Sequence, residues 1–304
     1  MGKQAEGPTR TVTRCASGRP TLVIVHWNQP DAVAATIASF RRGTVVPRFL
    51  VVDNASRSEE RERLALLVGE EPDVTILDAD RNDGFGAGAN AGLRRWLADP
   101  LAGEWVLLCP HDVEVDPDTV RRLLDACAAE PMAGLACADV GDGHTPYIDP
   151  YFGGMTMPGS PDPGWQDADY PHGTLMVLRR ACLEEVGLFD ESFFAYCEEA
   201  DLALRARRCG WTSGLVRGAM VRNVTIGSSV ALVDYLQQRN TLRLVRSMSG
   251  RYHVFVRICI TLGQIVEGLV APRRRPYVFA PRARLLAIRD HLRGVVGPPP
   301  ADLR

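Results

Sequence analysis

Phe49-Leu50-Val51-Val52-Asp53-Asn54-Ala55-Ser56 begins as an apolar run and breaks off abruptly into polar residues. A short run that is apolar throughout reads as a strand buried on both faces of a sheet. Upstream, Thr21-Leu22-Val23-Ile24-Val25-His26-Trp27 has the same character, as do Val74-Thr75-Ile76-Leu77 and Trp105-Val106-Leu107-Leu108-Cys109 downstream. Helical patterns fill the gaps. One starts at Asp31, just after Pro30, with Ala34, Ile37, Ala38 and Phe40 at helical spacing. Others run from Ser58 to Leu67 and, after a Gly/Asn-rich loop, from Ala89 to Leu97. Strand alternating with helix predicts an α/β fold, a Rossmann-like, mostly parallel sheet covered by helices. In such sheets ligands bind at the carboxyl ends of the strands, so the polar residues that follow them are the candidates for function.

At 304 residues and 46% hydrophobic, the chain is long enough for one large domain with an appendage. A formal net charge of −2 argues against a dedicated nucleic-acid binder, which would carry a basic surplus. Lys3 is the only lysine, and the excess of arginine reads first as GC-rich codon usage. The eight cysteines (15, 109, 127, 137, 182, 197, 209 and 259) include no C-x-x-C pair, so they read as buried free thiols in a reducing cytoplasm. The N-terminus has no apolar core of a signal peptide, and Glu6 breaks a myristoylation pattern. No stretch of about 20 residues is uninterrupted and apolar. The nearest, His253 to Ala271, is broken by Arg257, Gln264 and Glu267.

Residues 1–20, polar and rich in Gly, Pro, Thr and Arg, read as a disordered tail. Residues 21–230 read as the sheet domain and residues 231–304 as a helical, basic appendage. Within the domain, Gly141 to Pro171 lacks periodicity and reads as a long irregular loop, with Tyr147 to Trp165 expected to shape one side of the site. Thr174 to Leu178 resembles a strand and Asp201 to Arg208 a helix.

Four polar clusters carry the chemistry. In the first, Asp53 can accept the ring N–H of a pyrimidine base or cap the next helix. The second, Arg81-Asn82-Asp83-Gly84-Phe85-Gly86-Ala87-Gly88-Ala89-Asn90, sets three glycines at alternate positions before a helix. That suits close backbone approach to an anion, or a plain turn. The third follows the fourth strand: His111-Asp112-Val113-Glu114-Val115-Asp116. A carboxylate there can hold Mg²⁺ or Mn²⁺ against a diphosphate, while Asp116 and Asp118 suit a helix start. The fourth, Phe193-Phe194-Ala195-Tyr196-Cys197-Glu198-Glu199-Ala200-Asp201-Leu202, sets three acids in an apolar frame. Burial and mutual repulsion raise a carboxyl toward the range of a general base, and helix capping accounts for one acid only.

In this order and spacing, the clusters resemble the inverting family-2 glycosyltransferases of the GT-A fold, especially their bacterial rhamnosyltransferase-like branch. The matching elements are His26-Trp27-Asn28, Val51 to Ser56, Asn82/Gly84/Asn90, Asp112, Gly173 to Arg180, Gly187 to Phe194 and Tyr196 to Leu202, within residues 21–245. The resemblance implies a pyrimidine nucleoside diphosphate sugar, dTDP- or UDP-linked, as donor. Asp53 would bind the base, with Asn28 and Asn54 beside it and Asn82, Gly84 and Asn90 along the ribose and diphosphate. Asp112, next to His111, would hold a divalent ion. Glu199, with Glu198 and Asp201 as competitors, would deprotonate an acceptor hydroxyl on a glycan, a lipid-linked sugar or a secondary metabolite.

The chain departs from the family pattern at Pro110-His111-Asp112, at Glu199 where an Asp is usual, and at Asn223 where a His often stands. Those departures keep a second reading in view, a degenerate relative that binds a sugar nucleotide or a partner without catalysis. A nucleotidyltransferase would need a Gly-rich basic loop after the first strand, where this chain has His26-Trp27-Asn28-Gln29-Pro30. Further on, Tyr235, Arg239 and Asn240 resemble an element that follows the catalytic domain in similar enzymes. The amphipathic helices from about Val230 to Val270, with Arg273-Arg274-Arg275, fit two readings. One is peripheral contact with the inner face of the membrane from the cytoplasm; the other is packing on the domain or on a second subunit of a homodimer.

Overall fold

A computed structural model describes residues 18–224 and 229–303. The expected tail falls mostly outside the described residues, as do residues 225–228, shortly after Asn223. The chain runs β1 (Thr21–His26), α1 (Pro30–Arg41), β2 (Arg48–Asp53), α2 (Ser58–Val68), β3 (Val74–Asp78), α3 (Phe85–Leu97), β4 (Trp105–Pro110), β5 (Val113–Val115), α4 (Thr119–Ala129) and β6 (Ala133–Asp139). It continues through β7 (His144–Asp149), β8 (Gly153–Pro158), β9 (Gly164–Asp167), β10 (Met176–Arg179), α5 (Arg180–Val186), α6 (Glu198–Arg208), β11 (Thr212–Asn223), α7 (Val230–Ser249), α8 (Arg251–Val270) and α9 (Pro281–Leu292).

The sheet has the order β3-β2-β1-β4-β10-β6-β11-β5, with β9 added on β11. Strands β3, β2, β1 and β4 are parallel, β10 runs antiparallel between β4 and β6, and β11 is parallel to β6. Side-chain alternation divides the core into two layers. Leu22, Ile24, Val51 and Leu107 face one layer with Val33, Phe40, Leu64 and Leu123 from α1, α2 and α4. Val23, Val25, Val52 and Leu108 face the other with Leu93, Trp96, Leu183 and Leu202 from α3, α5 and α6. The mostly parallel sheet covered by helices is therefore the one expected. His26, Asp53 and Asp78 stand level in register where β1, β2 and β3 end, with Pro110 one step away on β4. One edge of the sheet thus gathers the polar residues.

Three local expectations are corrected. The segment from Gly141 to Pro171 is not an irregular loop: β7 and β8 form a hairpin, and β9 pairs with the edge of β11. Its prolines and glycines mask the strand pattern, because edge strands tolerate residues that central strands exclude. Helix α3 begins at Phe85 rather than Ala89, so Gly86 and Gly88 lie inside the helix. They serve packing more than a ligand: a Cβ on Gly88 would stand 2.8 Å from Val25 Cγ1, and one on Gly92 would collide with Val23. Helix α6 begins at Glu198 rather than Asp201. Cys109, Cys127, Cys137 and Cys182 are buried free thiols as read, whereas Cys209 and Cys259 are exposed and Cys197 is half-buried.

The close seat of α3 on β1 and β2 depends on these missing side chains. Replacing Gly92 with Val should overpack the contact with Val23 and Val52 and cost about 1–3 kcal/mol. A lower urea midpoint with an unchanged slope would show it; an unchanged midpoint would refute the packing role.

Candidate active site

The first wall of the site is the end of β1 and β2. His26 and Asp53 are wholly buried, with His26 Nδ1 3.3 Å from Asp53 Oδ1. The backbone N–H of Gln29 donates to His26 Nε2 at 2.9 Å, which leaves Nδ1 as the ring nitrogen that donates toward Asp53. Ser56 N also donates to Asp53 Oδ1, at 3.1 Å. Burial works against the Asp53 charge, but the hydrogen bonds from His26 and Ser56 outweigh it and hold its carboxyl below the usual range. The carboxylate does not cap α2, whose N-cap is Arg57. Asp53 Oδ2 makes no hydrogen bond among the described residues, although Arg61 Nε lies 3.3 Å away. In the sequence His26 stands only as part of a turn; its role as the partner of Asp53 appears once β1 and β2 stand in register.

The asparagines tie loops together. Asn28 has a left-handed backbone (φ 54°) and its Oδ1 accepts from Arg57 N at 2.9 Å. Asn54 Nδ2 donates to Asn82 Oδ1 at 3.1 Å and to the Gly84 carbonyl at 2.9 Å, and Asn82 Oδ1 also accepts from Gly84 N. Asn90 is buried in α3 and uses both ends of its amide on the next wall, donating to Phe189 O and Glu191 Oε1 and accepting from Phe189 N. Gly84 (φ 99°) is a glycine because a Cβ would strike the Phe194 backbone. Thus the expected ribose and diphosphate residues hold the Gly-rich turn against the 187–194 segment.

The second wall follows β4. His111 Nδ1 lies 3.2 Å from the Val25 carbonyl, and its ring meets the His26 ring edge-on at 5.8 Å. Burial lowers the His111 pKa, so the ring stays neutral more readily. Burial raises the Asp112 carboxyl, with His111 only partly offsetting it. Asp112 and Asn28 border a cleft of about 720 Å³ beside α1 and β5. Of the acids lining it, Asp31, Glu60 and Glu114 pair with Arg63, Arg57 and Arg42. Asp112 is the lining carboxylate left without an arginine among the described residues. A desolvated carboxylate with no cation of its own is one that could hold a divalent ion, which would supply positive charge beside a diphosphate. Among the described residues no group of three or more His, Cys, Asp or Glu side chains could hold a metal alone.

The third wall is the start of α6. Phe194, Tyr196 and Cys197 all have positive φ (71°, 70° and 73°), a strained lead into the helix. The side chain of Asn240, on α7, donates to the carbonyls of Phe193, Ala195 and Tyr196 at 2.9, 2.7 and 3.0 Å. Arg239 adds a bond to Phe193 O at 3.2 Å. Glu198 is 2% exposed, its Oε2 makes no hydrogen bond among the described residues, and burial with repulsion from Glu199 lifts its carboxyl well above the usual range. Glu199 is partly exposed, and burial of its carboxyl pushes it up to about 7. Gly173 lies so close to Glu199 Oε1 that a Cβ there would stand 2.5 Å from it. Asp201 is not the cap of α6. It sits in the first turn and pairs with Arg205 at 2.8 Å. The Tyr196 phenol, raised by burial and then by Glu198, Glu199 and Asp112, lies within the field of both carboxylate walls.

A mixed sheet of this order, with its candidate site at the carboxyl edge, is the GT-A architecture of nucleotide-sugar transferases. The fold matches the mannosyltransferase PcManGT from Pyrobaculum calidifontis, solved with GDP-Man and Mn²⁺, at TM-score 0.59 and 13% identity over 90% of this chain and 87% of that one. It also matches GalNAc-T7, solved with UDP, GalNAc and Mn²⁺, at TM-score 0.63 and 14% identity over 91% and 56%. Residues 21–187 match the model of Glycosyl transferase family 2, more than half of the chain, and the chain belongs to that family. It is 27% identical over 197 residues to the low-salt glycan biosynthesis hexosyltransferase Agl10 of Haloferax volcanii, covering 62% of this chain and 61% of that protein. The chain therefore spans about three-fifths of that relative's length. It is 25% identical over 235 residues to the N-acetylglucosaminyl-diphospho-decaprenol L-rhamnosyltransferase of Mycobacterium tuberculosis, covering 66% of this chain and 74% of that protein.

Glu199 makes stability depend on pH. Its carboxyl titrates near 4.5 when free and near about 7 in the fold, so the folded chain binds the proton more tightly. Stability from this group is full below pH 4.5 and is lost as pH rises toward about 7. Glu199→Gln should flatten the fall of Tm across that window. A wild-type and mutant Tm that fall in parallel would show that Glu199 is not the titrating group.

Proposed function

We propose that this chain transfers a sugar from a pyrimidine nucleoside diphosphate sugar, dTDP- or UDP-linked, to an acceptor hydroxyl with inversion at the anomeric carbon. The observation that carries this reading is the partly exposed Glu199, lifted to about 7 and held at the start of α6. Such a carboxyl is matched to taking a proton from a hydroxyl near neutral pH. The rhamnosyltransferase relative makes a deoxyhexose the first donor to try and a lipid-linked sugar the first acceptor. The cytoplasm, where sugar nucleotides are made, is the proposed compartment.

In this mechanism Asp53 accepts the N–H of the base through Oδ2, while His26 Nδ1 fixes Oδ1. Asp112 would hold Mg²⁺ or Mn²⁺, whose positive charge, when bound, stabilises a departing diphosphate. Glu199 Oε takes the proton of the acceptor hydroxyl as the acceptor oxygen attacks the anomeric carbon on the face opposite the leaving group, and the bond from that carbon to the diphosphate breaks. Glu198 is the poorer candidate, because it is buried behind the helix start. Adjacent residues on a helix point about 100° apart, so the two carboxyls do not share one acceptor.

Two measurements test this. Titration with UDP, dTDP and GDP should favour the pyrimidine nucleotides, and Asp53→Ala should weaken them by about 1–3 kcal/mol with the fold intact. Equal affinity in the mutant would leave Asp53 a loop-holding residue only. In a sugar-nucleotide panel, Glu199→Gln should lower kcat by about 10²–10⁴ with nucleotide affinity nearly unchanged. If Glu198→Gln abolishes turnover while Glu199→Gln keeps it, the base is Glu198. Nucleotide binding without turnover in the wild type would favour the non-catalytic reading.

A further inference from the structure

Helix α8 hides one side and bares the other. Val254, Arg257, Thr261, Ile265 and Gly268 face inward. Arg257 and Thr261 reach Gln238 of α7, and a Cβ on Gly268 would collide with Phe279. On the opposite side Tyr252, Phe255, Leu262, Val266, Leu269 and Val270 form a continuous stripe, 42–80% exposed. Tyr252, Phe255, Leu262, Val266 and Leu269 recur at intervals of three, four or seven residues, which keeps them on one face of the 20-residue helix, and Val270 flanks that face at its end. Single exposed apolar residues are ordinary, but a helix-long stripe of them calls for an occupant.

Charge selects that occupant. Residues 231–304 hold thirteen arginines against four acidic residues, although the whole chain has a net charge of −2. Arginine and tyrosine stand together at both ends of the stripe, as Arg251-Tyr252 and as Arg273-Arg274-Arg275 with Tyr277, all exposed. Arg251 and Arg273 have no acidic partner among the described residues. A twofold pairing of this face with a second copy would bring the exposed Arg251 and Arg273–Arg275 of the two copies together, and their repulsion works against it. An anionic bilayer surface instead supplies an apolar layer for the stripe and phosphates for its ends.

We propose that the outer face of α8, flanked by Arg251 and Arg273–Arg275, is a docking surface for an anionic lipid bilayer, on which the helix lies without crossing. Among the described residues α8 is the one helix long and apolar enough to span by length and composition. Spanning would carry Arg257, whose Nε and Nη1 make no hydrogen bond among the described residues, into hydrocarbon and strip α8 from α7. Lying flat keeps both. Helix α7 also carries Asn240, so the lipid contact and the loop before Glu199 share one helical pair.

The test uses the full chain with no sugar nucleotide present, so its failure is separate from failure of the donor chemistry. Sedimentation with phosphatidylcholine vesicles, with and without phosphatidylglycerol, should show binding only when the anionic lipid is present, weakening as salt is added. Arg251→Gln with Arg273→Gln should weaken binding roughly 25-fold, about fivefold for each arginine. Phe255→Asp should abolish it with an unchanged thermal melt, since Phe255 is 65% exposed. An environment-sensitive dye on Cys259, with the other reactive cysteines replaced, should shift to the blue on vesicles. The proposal is overturned by no binding or by equal binding to neutral vesicles. It is equally overturned by resistance to alkaline carbonate extraction, the mark of a spanning helix. A dimer that Phe255→Asp dissociates, in a chain that ignores vesicles, would assign the face to a second copy.

Discussion

Phe194, Tyr196 and Cys197 take backbone conformations that L residues avoid, and Asn240 keeps them there. Phe194, with φ 71° and ψ −63°, sits in the strained γ-turn region, and each such residue costs about 1–3 kcal/mol. The carbonyls of Phe193, Ala195 and Tyr196 converge on one buried amide, which satisfies them where the chain turns into α6. From this turn α6 starts at Glu198, and the first helical turn aims Glu198 inward while leaving Glu199 partly exposed. The Phe194 backbone also presses on Gly84, and Asn90 ties the 187–194 segment to α3. One constraint therefore sets the Gly-rich turn, the two glutamates and α7 relative to one another.

The carboxylates of the site differ because their surroundings differ. Asp53 is buried yet held ionised, since His26 and Ser56 donate to it. Asp112 and Glu199 are desolvated with less compensation, and both are raised. Environments that push similar acids apart are the usual way one site holds groups with separate roles. His26 matters to this division, because the Gln29 N–H donates to its Nε2 and so orients Nδ1 toward Asp53.

The C-terminal helices are more than an attachment. Tyr235 and Leu236 of α7 join Ala283 and Ala287 of α9 in a small core that includes Phe194, Ala195 and Tyr196. Arg284 and Asp234 form a buried pair at 2.8 Å inside it. Removing one partner of such a pair leaves a buried charge uncompensated, so this region is held together as one unit. The chain thereby connects its basic, apolar outer surface to the strained turn before Glu198.

The amino-acid sequence by itself determined the layers and the candidate residues. Buried strands read as unbroken apolar runs, and the polar residues that end them are local features, visible in Val51 to Ser56 without any partner. The same holds for the acids after Tyr196 and for the order of motifs that marks the family. Only the tertiary structure decided which of those residues face each other. The β7–β8 hairpin was hidden because its edge strands carry prolines and glycines that local pattern reads as loop. The start of α6 was hidden because three left-handed residues have no signature in L side chains, and their support comes from Asn240, more than forty positions away. His26 became the partner of Asp53 through strand register, and Asn90 became a loop fastener through a contact 99 positions along the chain. Such contacts depend on long-range packing, which a local pattern of residue types does not encode.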